Sequence, residues 1–212
     1  MDTSIFDHFG DRETILRIKD YLIRYLKNPF EAIKNVPTDI GLMNTLVFQG
    51  GAAALSGILA GIVSQNLFNM IAGALFFPIA AILVNLIGTG FFYYTFQFFL
   101  QRQIPFASIS ALICFSSLPH LALYTLGGIL PPINLIGLAS AYILFLVGSV
   151  ETFLIDRRWM TRVLAALYAL SLLSWIYSSI QRSRLEQKLL INSKQPRIES
   201  PRKDLKHVDR KA

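Results

Sequence analysis

From Ile40 to Gln101 the chain runs for sixty-two residues without one Asp, Glu, Lys or Arg. A bilayer's hydrocarbon core is about 30 Å thick and is crossed by roughly 20 apolar residues in a helix, so this stretch reads as two membrane spans joined by a tight turn. A second charge-free run, Gln103 to Val150, holds two more spans, and a third, Val163 to Ile180, holds a fifth. The fold class expected is all-α: a polytopic transmembrane helix bundle of about five spans, preceded by an amphipathic helix at the interface. Residues 1–39 form a lead-in, 40–180 the membrane domain, and 181–212 a basic, largely disordered tail.

With 53% hydrophobic and only 16% charged residues, the composition falls outside the range of soluble domains. Of the twenty basic residues, six precede Asp39 and ten follow Ile180, so the calculated pI of 9.7 reports the flanks. No nucleic-acid partner is expected. Cys114, the single cysteine, excludes an internal disulfide or a cysteine-based metal site and reads as a small core hydrophobe. The first thirty residues mix charge with apolar side chains and contain no h-region, so the first span is expected to direct insertion.

Arg12 to Leu26 carries Ile15, Ile18, Leu22 and Tyr25 or Leu26 at helical spacing, with Arg17, Lys19, Arg24 and Lys27 between them and Asp11 in place to cap. Such a helix lies against anionic lipid headgroups or packs on the ends of the spans. Pro29 ends it, and Glu31 to Asn35 adds a further turn. The first span, Gly41 to Val63, places Gly50, Ala54, Gly57 and Gly61 on one face, a close-packing surface for a helix of the same chain or of a second copy. Ser64 to Asn69 makes the turn. The second span, Met70 to Leu100, exceeds the hydrocarbon thickness and must tilt, kink at Pro78 or protrude, with an aromatic run from Phe91 to Phe99 as an interfacial belt or a docking surface. The third span covers about 107–126, the fourth 133–153, and the fifth, 163–180, is bracketed by Trp159, Trp175 and Tyr177.

Lysines and arginines in short loops mark the cytoplasmic side. Their distribution places the N-terminus in the cytoplasm, and five crossings then put the tail, net charge +6, on the opposite face. A cytoplasmic tail would require one segment, the broken third or the short fifth, to cross incompletely.

The third span holds the most polar piece of the buried chain, Cys114 to His120. Pro119 frees the carbonyl four residues earlier, and the hydroxyls of Ser116 and Ser117 are the expected replacement donors. His120 is the one ionisable group near mid-span, either a structural hydrogen-bonding group or a proton or ligand site. Glu151, at the end of span four, faces an ion pair with Arg157 and Arg158. Asn44 and Asn85 are placed to hydrogen-bond between helices. There is no HExxH, GxSxG or P-loop, and the three histidines are scattered, so no catalytic residue, cofactor or metal is expected.

The order of parts resembles that of a known family. An amphipathic lead-in, Asn28-Pro29-Phe30-Glu31-Ala32-Ile33, a glycine-rich first span, a long second one, Ser117-Leu118-Pro119 in the third and two short spans after it resemble the Yip1 domain family in its small prokaryotic form, over about residues 20–180. The resemblance implies a non-enzymatic membrane protein with a cytosolic N-terminus, in a bacterial inner membrane, or in the ER or Golgi if the source is eukaryotic. Eukaryotic relatives are linked to Rab GTPases, but the long hydrophilic N-terminal region of many of those proteins is missing here. The expected function is organisation of a membrane or of a partner, with the bilayer, its anionic headgroups, a second copy or another membrane protein as partners. The rival is a small-solute transporter, channel or lipid scramblase with a path near Ser116, Ser117 and His120.

Overall fold

The computed structural model describes residues 12–127, 130 and 132–194, with side chains up to Gln181 in the last helix. Asp11 and the chain from residue 195 onward lie outside the described residues, and with them the expected cap and most of the tail expected to be disordered. The described chain is built of helices: α1 (Arg12–Lys27), α2 (Pro29–Ala32) with a 3-10 turn at Ile33–Asn35, then α3 (Leu42–Val63), α4 (Leu67–Phe99), α5 (Phe106–Tyr124), α6 (Ile133–Phe153) and α7 (Arg157–Lys194). Among the described residues five helices, α3 to α7, are long and apolar enough to cross a membrane.

The boundaries follow from local chemistry. Asn28 closes the lead-in by accepting the backbone N–H of Glu31 at 3.2 Å, and Pro29 fills the first helical position, where no N–H is needed. Asn66 plays the same capping role for α4, accepting from the backbone of Asn69 at 3.1 Å, so this helix starts earlier than its hydropathy indicates. At 33 residues and 1.5 Å each, α4 is about 50 Å long and continues through Pro78. Asp156 caps α7 by accepting the backbone N–H of Arg158 at 3.0 Å.

Contacts divide the chain into two compact units at Ala169/Leu170, inside α7. In the first unit α3 and α4 form an antiparallel hairpin at very close range. Gly57 faces the backbone of Gly73, Gly61 faces the backbone of Met70, and Gly50 lies against Ile82, so the small-residue face of the first span is used within the chain. The core gathers Phe92 and Phe96 of α4, Ile109, Leu112 and Phe115 of α5, and Leu144 and Phe145 of α6. The start of α7 joins it through Met160 and Leu164, and Tyr168 stacks edge-on against Tyr142. In the second unit, from Leu170, the helix continues with local bonds, Ser178 to Trp175 and Gln181 to Tyr177.

Candidate functional site

Three spans are knitted together by uncharged side chains. The amide nitrogen of Asn85 donates to Oε1 of Gln49 and, at 3.2 Å, to the Ser110 carbonyl. Its oxygen accepts from the hydroxyls of Thr89 and Ser110, each at 2.9 Å. Two donors and two lone pairs are all the Asn85 amide has, and all four are used. Gln49 completes the lattice by donating to the Ala81 carbonyl at 3.4 Å, and all four residues are buried. Sequence reasoning found Asn85 and missed Gln49, Thr89 and Ser110. The available signal was spacing, since Thr45 and Gln49, and again Asn85 and Thr89, stand four apart and so on one helix face. Asn44 donates to the Ile40 carbonyl at 2.9 Å, four residues back.

The polar stretch of α5 does not converge on one site. Ser116 bonds the Leu112 carbonyl and Ser117 the Cys114 carbonyl, the latter at 2.7 Å, so neither replaces the bond lost at Pro119. The reason is reach. A helical serine bends back three or four residues, which from these positions reaches past the freed carbonyl of Phe115. Pro119 itself turns toward a groove shared with α1 and α3. His120 is half-buried against Gly137 of α6 and faces the backbone of Asn134. Its Nδ1 and Oδ1 of Asn134 are both buried without a partner among the described residues. Glu151 is exposed at the end of α6, and no ion pair among the described residues joins it to Arg157 or Arg158. Its charge is felt by Lys34 instead. The Lys34 ammonium pairs with Glu31 at 2.8 Å, which raises its pKa, and Glu151 adds a weaker pull in the same direction.

The amphipathic lead-in is more deeply engaged than its hydropathy indicates. Tyr21 and Tyr25 of α1 are buried, with the Tyr21 ring tilted against that of Phe115 on α5, 4.5 Å between centroids. The face packed on protein is Ile18, Tyr21, Leu22 and Tyr25, whereas Ile15 and Leu26, expected on that face, are exposed. Both phenol hydroxyls lack a partner among the described residues, and burial pushes both pKa values above the ordinary tyrosine range. Arg17 ties the helix down from outside, pairing with Glu13 at 2.7 Å and with Asp39, just before α3, at 2.6 Å. The lead-in therefore docks on the bundle while keeping an outer apolar strip free.

Among the described residues no group of three His, Cys, Asp or Glu side chains is placed to hold a metal ion. Five apolar helices of spanning length make this chain a polytopic integral membrane protein. No family model, curated protein or solved structure matches it.

Proposed function

We propose that this chain is a non-enzymatic membrane protein of the Yip1 type, which organises the surrounding membrane or a partner from a bacterial inner membrane. The observation that carries the reading is the internal saturation of the Asn85 lattice and of the serines before Pro119. The Asn85 lattice spends its bonds internally, and the hydroxyls of Ser116 and Ser117 are occupied by carbonyls of their own helix. A transport path needs polar groups free to replace the hydration of what passes. The protein solubilised from its native membrane is expected to bring down a defined partner or a second copy. Recovery of a monodisperse, partnerless monomer would refute this reading. The orientation proposed with it is a cytoplasmic N-terminus and an external tail, checked by a reporter fused after Ala212. Cytoplasmic reporter activity would remove one crossing.

One observation favours the rival. The unpartnered atoms of His120 and Asn134, where α5 meets α6, are the kind of polar pair a passing solute could use. Solute flux and lipid flip in proteoliposomes separate the two readings. Background rates for the parent and for His120→Ala exclude transport, whereas a flux lost in that variant would establish it.

A further inference from the structure

The lead-in lies deeper than a helix resting on the membrane surface. α5 has 19 residues, so at 1.5 Å each it measures about 28 Å and just crosses a hydrocarbon core of about 30 Å. Its middle residue, Phe115, therefore stands near mid-plane. The Tyr21 ring of α1 lies 4.5 Å from that of Phe115, centre to centre. Each ring centre is about 4 Å from its own Cα, so the α1 backbone at Tyr21 comes within about 12 Å of mid-plane, inside a half-thickness of about 15 Å whichever way the rings reach. On the return toward α3, Ile33 lies against Gly148 of α6, which is more than a turn short of the end of that helix. Arg17 reaches from this layer to Asp39, which precedes α3, as a long cationic side chain does near an interface.

At 3.6 residues per turn α1 has three strips. Ile18, Tyr21, Leu22 and Tyr25 are packed on protein. Ile15, Leu16, Ile23 and Leu26 form a second strip, apolar yet exposed, with Arg12 and Lys19 among them. Glu13, Arg17, Asp20, Arg24 and Lys27 form a third, charged and exposed. A helix with an apolar and a charged strip side by side belongs where hydrocarbon meets water. The contact of Tyr21 with Phe115 holds α1 below the level at which a flat bilayer has that boundary. Charged side chains at such depth draw water and headgroups inward and thin the bilayer locally, so the boundary comes down to the helix.

We infer that α1 lies within one leaflet, its apolar strip covered by acyl chains, and that phospholipid headgroups and water descend to its charged strip, denting the bilayer along the lead-in. A leaflet fits better than a partner protein. The strip of α1 that packs on protein is already used, and the two that remain divide apolar from charged as lipid tails divide from headgroups. The inference gives the membrane-organising reading a physical means and rests on it only in taking the bilayer as what the protein acts on. Recovery of a partner tests that reading and the depth of α1 tests this one, so each can fail alone.

Full-length protein in a Cys114→Ala background, with one spin-labelled cysteine and reconstituted in vesicles of phosphatidylcholine and phosphatidylglycerol, tests it. The readout is access of oxygen, which collects in hydrocarbon, relative to a water-soluble nickel chelate. Ile87→Cys is the reference, exposed on α4 close to Asn85, which bonds Gln49 beside Phe48, a ring neighbour of Phe115, and so marks the layer of α1. Labels at Ile87, Ile23 and Leu26 should favour oxygen. Labels at Arg24 and Lys27, neighbours in sequence of Ile23 and Leu26, should be several-fold more open to nickel. Nickel access at all four α1 positions would place the helix outside the leaflet and overturn the inference. Oxygen preference at all four would mean that no headgroups descend, and nickel access at Ile87 equal to that at Arg24 and Lys27 would mean a boundary without a dent; either overturns it. So would loss of access to both reagents at Ile23 and Leu26, since the cover would then be protein.

Discussion

Gly57→Ala should break one of the tightest backbone contacts in the bundle, although alanine is the better helix former. A Cβ at Gly57 would fall on the carbonyl and Cα of Gly73, and one at Gly73 would fall on the backbone of Gly57. Backbone cannot swing aside as a long side chain can, so α3 and α4 must separate along the hairpin. Overpacking of this kind costs about 1–3 kcal/mol, and the intrinsic gain from replacing a helical glycine offsets at most about 1 kcal/mol of it. The two substitutions are relieved by the same separation, so the double variant should cost less than the sum of the singles. Gly51, six residues away on α3, provides an internal control, because nothing lies within 4 Å of its added Cβ. Gly51→Ala should therefore be neutral or stabilising. Reversible unfolding of the full-length protein in mixed micelles, followed by circular dichroism, measures all four variants. A Gly57→Ala protein as stable as the parent, or a Gly51→Ala protein equally weakened, would refute a backbone-on-backbone contact.

Asn85→Leu should cost about 1–3 kcal/mol in the same assay, because it strands Gln49, Thr89 and Ser110 without their partner; unchanged stability would mean that the lattice contributes nothing net. Tyr21→Phe removes a hydroxyl with no partner and should leave stability level or raise it, whereas Tyr21→Ala loses the ring against Phe115 and should cost about 3–5 kcal/mol. Since burial raises the phenol pKa of Tyr21 and Tyr25, their share of docking α1 is complete below the ordinary value of about 10 and declines as pH climbs through the raised one. An alkaline melting series should show that decline in the parent and a smaller one in the double Phe variant; identical curves would rule it out.

The spans were legible because the bilayer imposes a length on any charge-free run, and Ile40 to Gln101 leaves little freedom about what it forms. The break before α2 was equally plain, since Asn28-Pro29 combines a capping side chain with a ring that cannot continue a helix. The role of α1 was only half legible. Periodicity found an amphipathic helix, but hydropathy ranks Ile15 and Leu26 above the tyrosines that are buried, because a phenol scores as polar wherever its ring is packed. The serines before Pro119 were assigned by proximity in sequence, whereas the direction in which a helical hydroxyl folds back decided their partners.

The sequence by itself determined the solvent of this protein, the number of its apolar helices and the absence of charge from their centres, because those properties depend on runs of residues and on the thickness of a membrane. Only the tertiary structure decided which helices touch. It set Gly57 against Gly73 rather than against a second copy, joined Gln49 of α3 to Asn85 of α4 and Ser110 of α5, and laid the end of α1 across the groove between α3 and α5. Those pairings depend on how apolar surfaces of nearly equal hydropathy interlock, and in lipid it is shape and the few polar atoms that choose among them.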